Sequence, residues 1–340
     1  TMHTDGKTKG KINYTVWSDV FICPNCSQEV VFWDAAVDKS TCVVSEHFKC
    51  LNCGSGLNKR NLERAYTTMI DLDIAKVMQQ YVRTSDIGGS DYTLRAHDAT
   101  IRLAKQVPVL INYSALGKRF EKTPDSQDLL CIDQVSSLDL ASVPIVPIPD
   151  GYNTNQPKRS HGLSHIHHFY TRRNLAYLLR VFHKVRQKEQ KIYLLWLTAS
   201  LIRTTKMYKF TADRKMGTVS GTLYIPSLSV ENSPNKLLSR KLGDLTSINS
   251  VETNNCVNCR SNDNLVFMSD SVDYVFTDPP FGGNIMYSEL NMLWESWLRV
   301  LTNNKNEAIE SDFQNKSLFD YQALIDRKST RLNSSHGKLS

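Results

Sequence analysis

Four cysteines near the start of the chain have the spacing of a metal-binding cluster. Cys23 and Cys26 form one C-x-x-C pair, and Cys50 and Cys53 form a second pair after residues 27–49. Two short turns that each offer two thiolates suit a closed tetrahedral Zn²⁺ site with no open coordination position. Structural zinc contributes about 10–16 kcal/mol in small peptides at neutral pH. The spacing therefore predicts a structural zinc site, and four unliganded thiols are the alternative.

The second chemically informative stretch is residues 271–298, which contain D-P-P-F at 278–281. The apolar run 272–276 predicts a short buried strand that ends where open α/β sheets place their ligands. Two consecutive prolines remove N–H donors, so the loop offers mainly hydrogen-bond acceptors. A helix is predicted to follow, with its apolar residues at Leu290, Leu293, Trp294 and Trp297.

This motif resembles the catalytic loop of methyltransferases that act on exocyclic amino groups of nucleic acids. The phrases KINYTVWSDVFICPNC, QVPVLINYS, HHFYTRRNL, GTLYIPSLSVEN and TDPPFGGNIMYSELN extend the likeness over residues 11–325, where the chain resembles a family of bacterial DNA methylases. The resemblance implies an α/β fold, with a Rossmann-like methyltransferase domain that is incomplete here and is interrupted by a zinc ribbon and a mainly helical insertion. It also implies S-adenosylmethionine as cofactor, DNA and a restriction endonuclease as partners, and a cytoplasmic location.

The resemblance assigns the catalytic roles to Asp278, Pro279, Pro280 and Phe281. The Asp278 carboxylate and the Pro279 carbonyl would accept hydrogen bonds from the base amino group and stabilise the positive charge that develops on it. Phe281 would stack on the flipped base, which contributes about 1–3 kcal/mol against a flipping cost of a few kcal/mol. An aspartate in the first position favours adenine N6 as the methylated atom.

The family's cofactor loop, a glycine-rich F-x-G-x-G turn, is absent from the chain. Gly217 and Gly221 come nearest, but they lack the spacing and a convincing preceding strand. Because that loop lies upstream of the paired cysteines in the family, we expect this chain to be an inactive piece of a longer protein, with its cofactor-binding residues unassigned. Residues 326–336, back-translated with suitable codons, resemble a sequencing adapter, so we expect residues 326–340 to be an artefact.

Composition limits the class of protein. The chain has 340 residues, of which 41% are hydrophobic and 22% charged, as is typical of a globular protein with two or three domains. Its longest apolar run, 192–202, is too short to span a bilayer. The net charge of +7 mildly favours an anionic partner, but four basic residues and one acidic residue fall in 326–340, which leaves +4 (7 − 3) for the rest.

The chain divides into a zinc ribbon at 11–66, a target-recognition insertion at 67–250 and part of the catalytic domain at 264–325. The elements predicted within them are β-like runs at 14–23 and 29–37, a helix at 71–82, a hairpin at 105–123, a long loop at 140–162, a helix from 171, a strand or helix at 194–202, a strand within 216–231 and a helix at 235–245.

Several weaker signals accompany these motifs. Arg172, Arg173, Lys206 and Lys209 are candidate contacts to nucleic-acid phosphates, with a solvated face as the alternative. No acidic or thiol ligand accompanies the histidines between 161 and 168, so a polar loop before a capped helix is favoured over a metal site. The cysteine pair at 256 and 259 has no second pair nearby and is expected to bind no metal.

Together these features predict a fragment of a site-specific, adenine-specific DNA methyltransferase from a restriction-modification context. It would transfer a methyl group from S-adenosylmethionine to the amine of a flipped base. Two alternatives stay open. One is an RNA base amino-methyltransferase, which uses similar loops, and the other is a non-catalytic nucleic-acid-binding protein built on a zinc ribbon.

Overall fold

The computed structural model describes residues 1–85, 99–187, 191–211, 216–246 and 278–333, together with Ser271, Asp273, Tyr274 and Phe276. The chain forms two compact units. The first consists of Thr1–Ile148 and Gln156–Ser247, and the second of Pro149–Asn155 and Ile248–Ser340. The fold is mixed α/β. The strand pairs of its main sheet are all antiparallel, so the described residues do not form a parallel Rossmann-like sheet.

The cysteine-containing part of the first unit consists of one long strand and several short elements. They are β1 (Lys11–Ile22), β2 (Glu29–Val31), α1 (Phe32–Ala36), β3 (His47–Lys49), β4 (Gly56–Asn58), β5 (Glu63–Arg64) and β6 (Tyr66–Ile70). The first predicted β-like run is confirmed as β1. The second is a strand only as far as Val31, because Phe32, Trp33 and Ala36 reach the core with helical spacing.

The remainder of the first unit contains longer helices. Its elements are α2 (Leu72–Ser85), β7 (Thr100–Ala104), β8 (Gln106–Ala115), β9 (Lys118–Lys122), α3 (Ser126–Ser136), α4 (Tyr152–His161, shared with the second unit), α5 (Arg172–Gln187), α6 (Lys191–Leu201), β10 (Leu228–Asn232) and α7 (Pro234–Thr246). The predicted helices at 71–82, 235–245 and from residue 171 are confirmed, as are the hairpin and the strand within 216–231. The ambiguous run 194–202 is mostly helical, within α6.

The main sheet has the strand order β10-β1-β8-β9. β1 pairs with β10 and β8 over most of its length, and its last residues pair with β2 and β5. Val16, Val109 and Val230 from the sheet share one buried cluster with Phe32 and Phe48 from the cysteine-containing segment. The segments predicted as 11–66 and 67–250 therefore meet in one sheet and one core.

The predicted loop at 140–162 contains α4, so that expectation is wrong for residues 152–161. The Glu289 carboxylate accepts the N–H groups of Tyr152 and Asn153 at 3.2 and 2.8 Å. These residues all belong to the second unit. The Glu289 carboxylate, which is distant in sequence, thus accepts hydrogen bonds from amides at the start of α4 and complements the dipole of this helix. The local sequence of α4, which is polar and contains Pro157, does not supply these interactions.

The second unit also holds α8 (Tyr287–Leu298) and α9 (Leu318–Asn333). α8 confirms the helix predicted after the D-P-P-F motif, and it buries Met292, Leu293 and Trp297. The described residues of 272–276 form no strand: Tyr274 and Phe276 are 78% and 83% exposed, so these aromatic rings do not pack into a core. α9 continues past residue 326, where the artefact is expected to begin.

Two further sequence predictions concern the cysteine pair at 256 and 259 and the lack of a membrane span, and the structure bears on them only through its described residues. The cysteine pair at 256 and 259, together with the linker around it, lies outside the described residues. Within the part of the chain that is described, no helix combines the length and the apolar character that crossing a bilayer requires.

Candidate functional site

The four paired cysteines lie on two turns of the same design. The first turn joins β1 to β2, and the second joins β3 to β4. In each turn, the amide four residues after the first cysteine donates to that cysteine's carbonyl: Ser27 to Cys23 at 2.8 Å, and Gly54 to Cys50 at 2.9 Å. Ser27 and Gly54 both have left-handed φ, at 57° and 74°. This matched geometry turns the two thiols of each pair toward one point.

The sulfur atoms have the spacing that a tetrahedral ion requires. Cys23 Sγ lies 3.8 Å from Cys53 Sγ, and Cys26 Sγ lies 3.8 Å from Cys50 Sγ. All four sulfurs are within 4.8 Å of one another. A Zn–S bond of about 2.3 Å in tetrahedral geometry corresponds to sulfur separations of about 3.8 Å. The four cysteines therefore lie close enough to bind a metal, and the donor set suits Zn²⁺.

An asparagine of each turn reaches across to the other turn. Asn25 Nδ2 lies 3.9 Å from Cys53 Sγ, and Asn52 Nδ2 lies 3.5 Å from Cys26 Sγ. Such N–H groups stabilise thiolate charge and orient the ligands. The sequence contained the signal for this pair, because both C-x-x-C motifs have asparagine in the third position.

A serine next to the second turn favours the ionised form of one thiol. Ser55 Oγ lies 3.0 Å from Cys53 Sγ. Hydrogen bonds from the Ser55 side chain and amide lower the pKa of Cys53 to about 6. A thiol that ionises this readily is prepared to act as a metal ligand near neutral pH.

The D-P-P-F loop presents two hydrogen-bond acceptors that no described residue uses. Asp278 and Phe281 are exposed, and Phe281 is 68% accessible. Among the described residues, no group donates to the Asp278 carboxylate or the Pro279 carbonyl. By contrast, the Pro280 carbonyl accepts a hydrogen bond from the Tyr321 hydroxyl at 2.7 Å.

The backbone after the motif is held by a turn. Asn284 N–H donates to the Phe281 carbonyl at 3.0 Å, and Gly282 has a φ of 50°. A side chain at Gly283 would meet the Glu310 carbonyl oxygen at 3.2 Å, so this glycine permits a close approach of two backbone segments. Sequence reasoning missed Tyr321 and Glu310, because no local pattern links them to the motif.

Three of the four histidines have an acidic neighbour, contrary to the prediction: His161 Nε2 lies 3.3 Å from Asp19 Oδ2, and His167 and His168 share Asp71. Asp71 Oδ2 lies 2.8 Å from His167 Nε2 and 2.7 Å from His168 Nε2, and all three residues are buried. Burial raises the pKa of Asp71, but the hydrogen bonds from both histidines outweigh it and the pKa falls below its usual range. The three donor atoms are close enough for a metal ion.

The hydrogen bonds of His168 nevertheless argue against a metal there. Its Nδ1 faces the amide N–H groups of Ser164 and His165 at 3.3 and 3.4 Å, so Nδ1 must be the acceptor. In the neutral ring the proton then sits on Nε2, which leaves no lone pair for a metal at that atom. Burial lowers the pKa of His168 to about 4, so the ring is neutral at pH 7. His168 therefore donates to Asp71 and serves structure.

The predicted phosphate contacts Arg172 and Arg173 are engaged within the protein. Arg172 pairs with Asp73, and Arg173 holds Glu231 through two hydrogen bonds of 3.0 and 2.6 Å. Glu231 is almost fully buried, so if Arg173 turned away to contact a phosphate, this buried carboxylate would lose its ion-pair partner. We therefore do not assign either guanidinium to nucleic acid.

The two predicted lysines lie in different environments. Lys206 lines a cavity of about 380 Å³, beside His167 and His168, and burial lowers its pKa to about 8. Lys209 is exposed. Of the four predicted phosphate contacts, Lys209 is therefore the one that is exposed and has no ion pair with any described residue.

Gly217 and Gly221 do not form a cofactor loop in this structure. They precede β10, and none of the described residues between α6 and β10 belongs to a named strand. The described residues thus show no strand–glycine turn–helix arrangement that would hold S-adenosylmethionine at this position.

The comparisons with known proteins assign no family to these sites. No protein-family model, curated protein or solved structure matches the chain. Two features therefore carry the functional argument: a four-thiol cluster that suits a metal, and an exposed proline-rich loop with two acceptors that no described residue uses.

Proposed function

We propose that this chain is part of a methyltransferase that acts on the exocyclic amino group of a nucleic-acid base, with adenine N6 in DNA as the substrate. One observation carries the proposal. Asp278 and Pro279 are consecutive and exposed, and neither the carboxylate of the first nor the carbonyl of the second has a partner among the described residues.

The chemistry explains why both acceptors are needed. The lone pair of a base amino nitrogen is delocalised into the ring, so this nitrogen is a poor nucleophile. Hydrogen bonds from its N–H groups to Asp278 and Pro279 would favour a nitrogen whose lone pair points away from the ring plane. The Asp278 carboxylate would also stabilise the positive charge that develops on nitrogen. S-adenosylmethionine, when bound by the whole protein, supplies the methyl group.

The neighbouring residues support this arrangement. The exposed ring of Phe281 is free to stack on a base that has left the double helix. Tyr321 occupies the Pro280 carbonyl, which leaves the Pro279 carbonyl available. Pro280 thus acts as a positioning residue.

We propose that Cys23, Cys26, Cys50 and Cys53 hold Zn²⁺ and that their two turns form a zinc ribbon. The matched hydrogen bonds of Ser27 and Gly54 and the sulfur separations of 3.8 Å support this assignment. With four protein ligands the ion has no open position, so its role is structural.

The test uses a longer version of the protein that includes the upstream cofactor loop. Asp278→Ala should abolish methyl transfer to DNA without changing the zinc content. Asp273→Ala is a matched control, because Asp273 is an exposed aspartate just upstream and should retain turnover. Near-normal turnover of the Asp278→Ala protein would defeat the proposal, and turnover on RNA alone would move the substrate to RNA.

A second candidate is a non-catalytic nucleic-acid-binding protein. The four-cysteine cluster favours it, because a closed set of four thiol ligands suits a structural ion and needs no catalytic role. Calorimetry with S-adenosylmethionine separates the two functions: the methyltransferase binds this cofactor in its longer form, and the non-catalytic protein does not.

A further inference from the structure

A groove of about 330 Å³ lies in the first unit, between the cysteine-containing segment and the edge of the main sheet. One wall includes the loop before β3 and the 3-10 turn Lys59–Asn61, which follows β4 directly. The other includes Lys209 and Phe210, which extend the sheet beyond β10: Phe210 N–H donates to the Leu228 carbonyl at 3.0 Å.

Positive charge in this groove exceeds what the described residues neutralise. The ammonium groups of Lys59 and Lys209 have no ion pair or hydrogen bond with any residue that the structure describes. Arg60 pairs with Glu46 at 3.0 Å, but these side chains are 82% and 59% exposed, so the pair is weak. Burial lowers the pKa of Lys59, and the nearby charges of Arg64 and Lys209 lower it further.

The lysines also lie beside aromatic rings. The Lys59 ammonium is 5.2 Å from the centre of the Phe32 ring, a cation–π contact that restrains it within the groove. The half-buried ring of Tyr224 and the buried ring of Phe210 line the groove as well. Cations next to flat apolar surfaces are typical of grooves that follow a nucleic-acid strand.

We propose that this groove binds the phosphodiester backbone of a nucleic acid. Lys59 and Lys209 contact phosphates, and Arg60 exchanges its weak pairing with Glu46 for a phosphate contact. An incoming phosphate supplies the negative partner that Lys59 and Lys209 do not find among the described residues, and each lysine contact releases a condensed counterion from the nucleic acid. The identity of the anion rests on the proposed function, whereas the site itself rests on the groove and its unpaired charges.

The cysteine cluster contributes to this site indirectly. Cys50 and Cys53 fix the turn between β3 and β4, and Lys59 follows β4 without an intervening loop. One wall of the groove therefore depends on the metal-binding turn. Removing the metal should weaken nucleic-acid binding even though no cysteine touches a phosphate.

The experiment measures binding of a short fluorescent DNA duplex to the 340-residue chain by anisotropy over a range of salt concentrations. The variant Lys59→Gln/Lys209→Gln keeps unbranched polar side chains, one atom shorter than lysine, and removes both charges. We expect its Kd to rise about tenfold at low salt, and the slope of log K against log salt to fall by about 1.8, since each phosphate contact contributes about 0.9. Lys49→Gln, an exposed lysine on β3 that does not line the groove, should change neither quantity.

Folding is checked by circular dichroism and zinc content. Lys209→Gln alone changes only an exposed side chain and should still lower the slope by about 0.9. Unchanged affinity and slope in the folded variants would overturn the groove assignment, as would a wild-type chain that binds an acidic peptide more tightly than DNA. A different result would defeat the methyltransferase proposal, namely turnover retained by the longer Asp278→Ala protein. That result is independent of what the groove binds.

Discussion

The Tyr321 hydroxyl donates a hydrogen bond to the Pro280 carbonyl oxygen across 2.7 Å, between residues 41 positions apart in sequence. A proline pair has no N–H groups, so the loop can be anchored here only through its carbonyls. Tyr321 thus uses the carbonyl of Pro280, whereas no described residue donates to the Asp278 carboxylate or the Pro279 carbonyl. α9 therefore helps to determine which atoms of the D-P-P-F loop are offered to a ligand.

Replacing Tyr321 with phenylalanine removes the hydroxyl donor and keeps the aromatic ring. We expect Tyr321→Phe to lower the free energy of unfolding of the second unit by about 0.5–1.5 kcal/mol, the contribution of a typical hydrogen bond. Urea unfolding measures the effect. Tyr287→Phe is the matched control, because Tyr287 is exposed and its hydroxyl has no partner among the described residues. Equal losses in the two variants would contradict the anchoring role.

Metal binding by the cysteine cluster can be tested one thiol at a time. Cys50→Ser replaces a buried ligand, so we expect the bound zinc to be lost and the first unit to unfold at a lower urea concentration. Elemental analysis of the purified protein measures the zinc. Cys131→Ser changes an exposed free thiol outside the cluster and should leave the zinc content unchanged. A Cys50→Ser protein that keeps its full metal content would refute the proposed ligand set.

The neutral state of His168 predicts a pH dependence of stability. Burial lowers its pKa from 6.5 to about 4 in the folded chain. Between these values the unfolded chain binds a proton that the folded chain excludes, so this residue makes stability fall as the pH drops from 6.5 toward 4. Nitrogen-15 NMR at pH 7 should show His168 with its proton on Nε2. A proton on Nδ1 would contradict the assigned hydrogen bonds and would reopen the metal-site interpretation of Asp71 and its histidines.

Gly162 packs so closely that it has no room for a methyl group. Its φ is 72°, and an added Cβ would lie 1.9 Å from the Arg102 carbonyl oxygen. Gly221 has a similar φ of 67° with nothing within 4 Å. Gly221→Ala should therefore cost about 1–2 kcal/mol from backbone conformation alone. Gly162→Ala should cost clearly more, and similar unfolding midpoints for the two variants would exclude the close packing.

Features with a local pattern could be predicted from the sequence. The spacing of Cys23, Cys26, Cys50 and Cys53 predicts that they converge, because each pair needs only one short turn. In α5 the recurrence of apolar residues over three and four positions predicts the buried face, which contains Leu175, Leu178, Leu179, Phe182 and Val185. The hairpin follows from its alternating strands and from Leu116 and Gly117, which both take positive φ.

Features that depend on partners distant in sequence could not be predicted in this way. The first amides of α4 donate hydrogen bonds to the Glu289 carboxylate, which lies far along the chain. Asp71 and His168 are 97 positions apart, and the sequence around the histidines does not predict a carboxylate partner. Lys59 and Lys209 reach the same groove only because Lys209 lies beside β10 at the edge of the sheet. In each case the energetically important partner is supplied by the tertiary fold.

β1 runs through the middle of the main sheet and ends one residue before Cys23. A ligand that binds only the folded chain stabilises it by mass action, so the proposed zinc ion also stabilises the hydrogen-bonded neighbours of β1. The folded population of the first unit should then follow the free zinc concentration around it. Through this strand, metal supply would control how much of the protein exists in the form that we propose binds a nucleic acid.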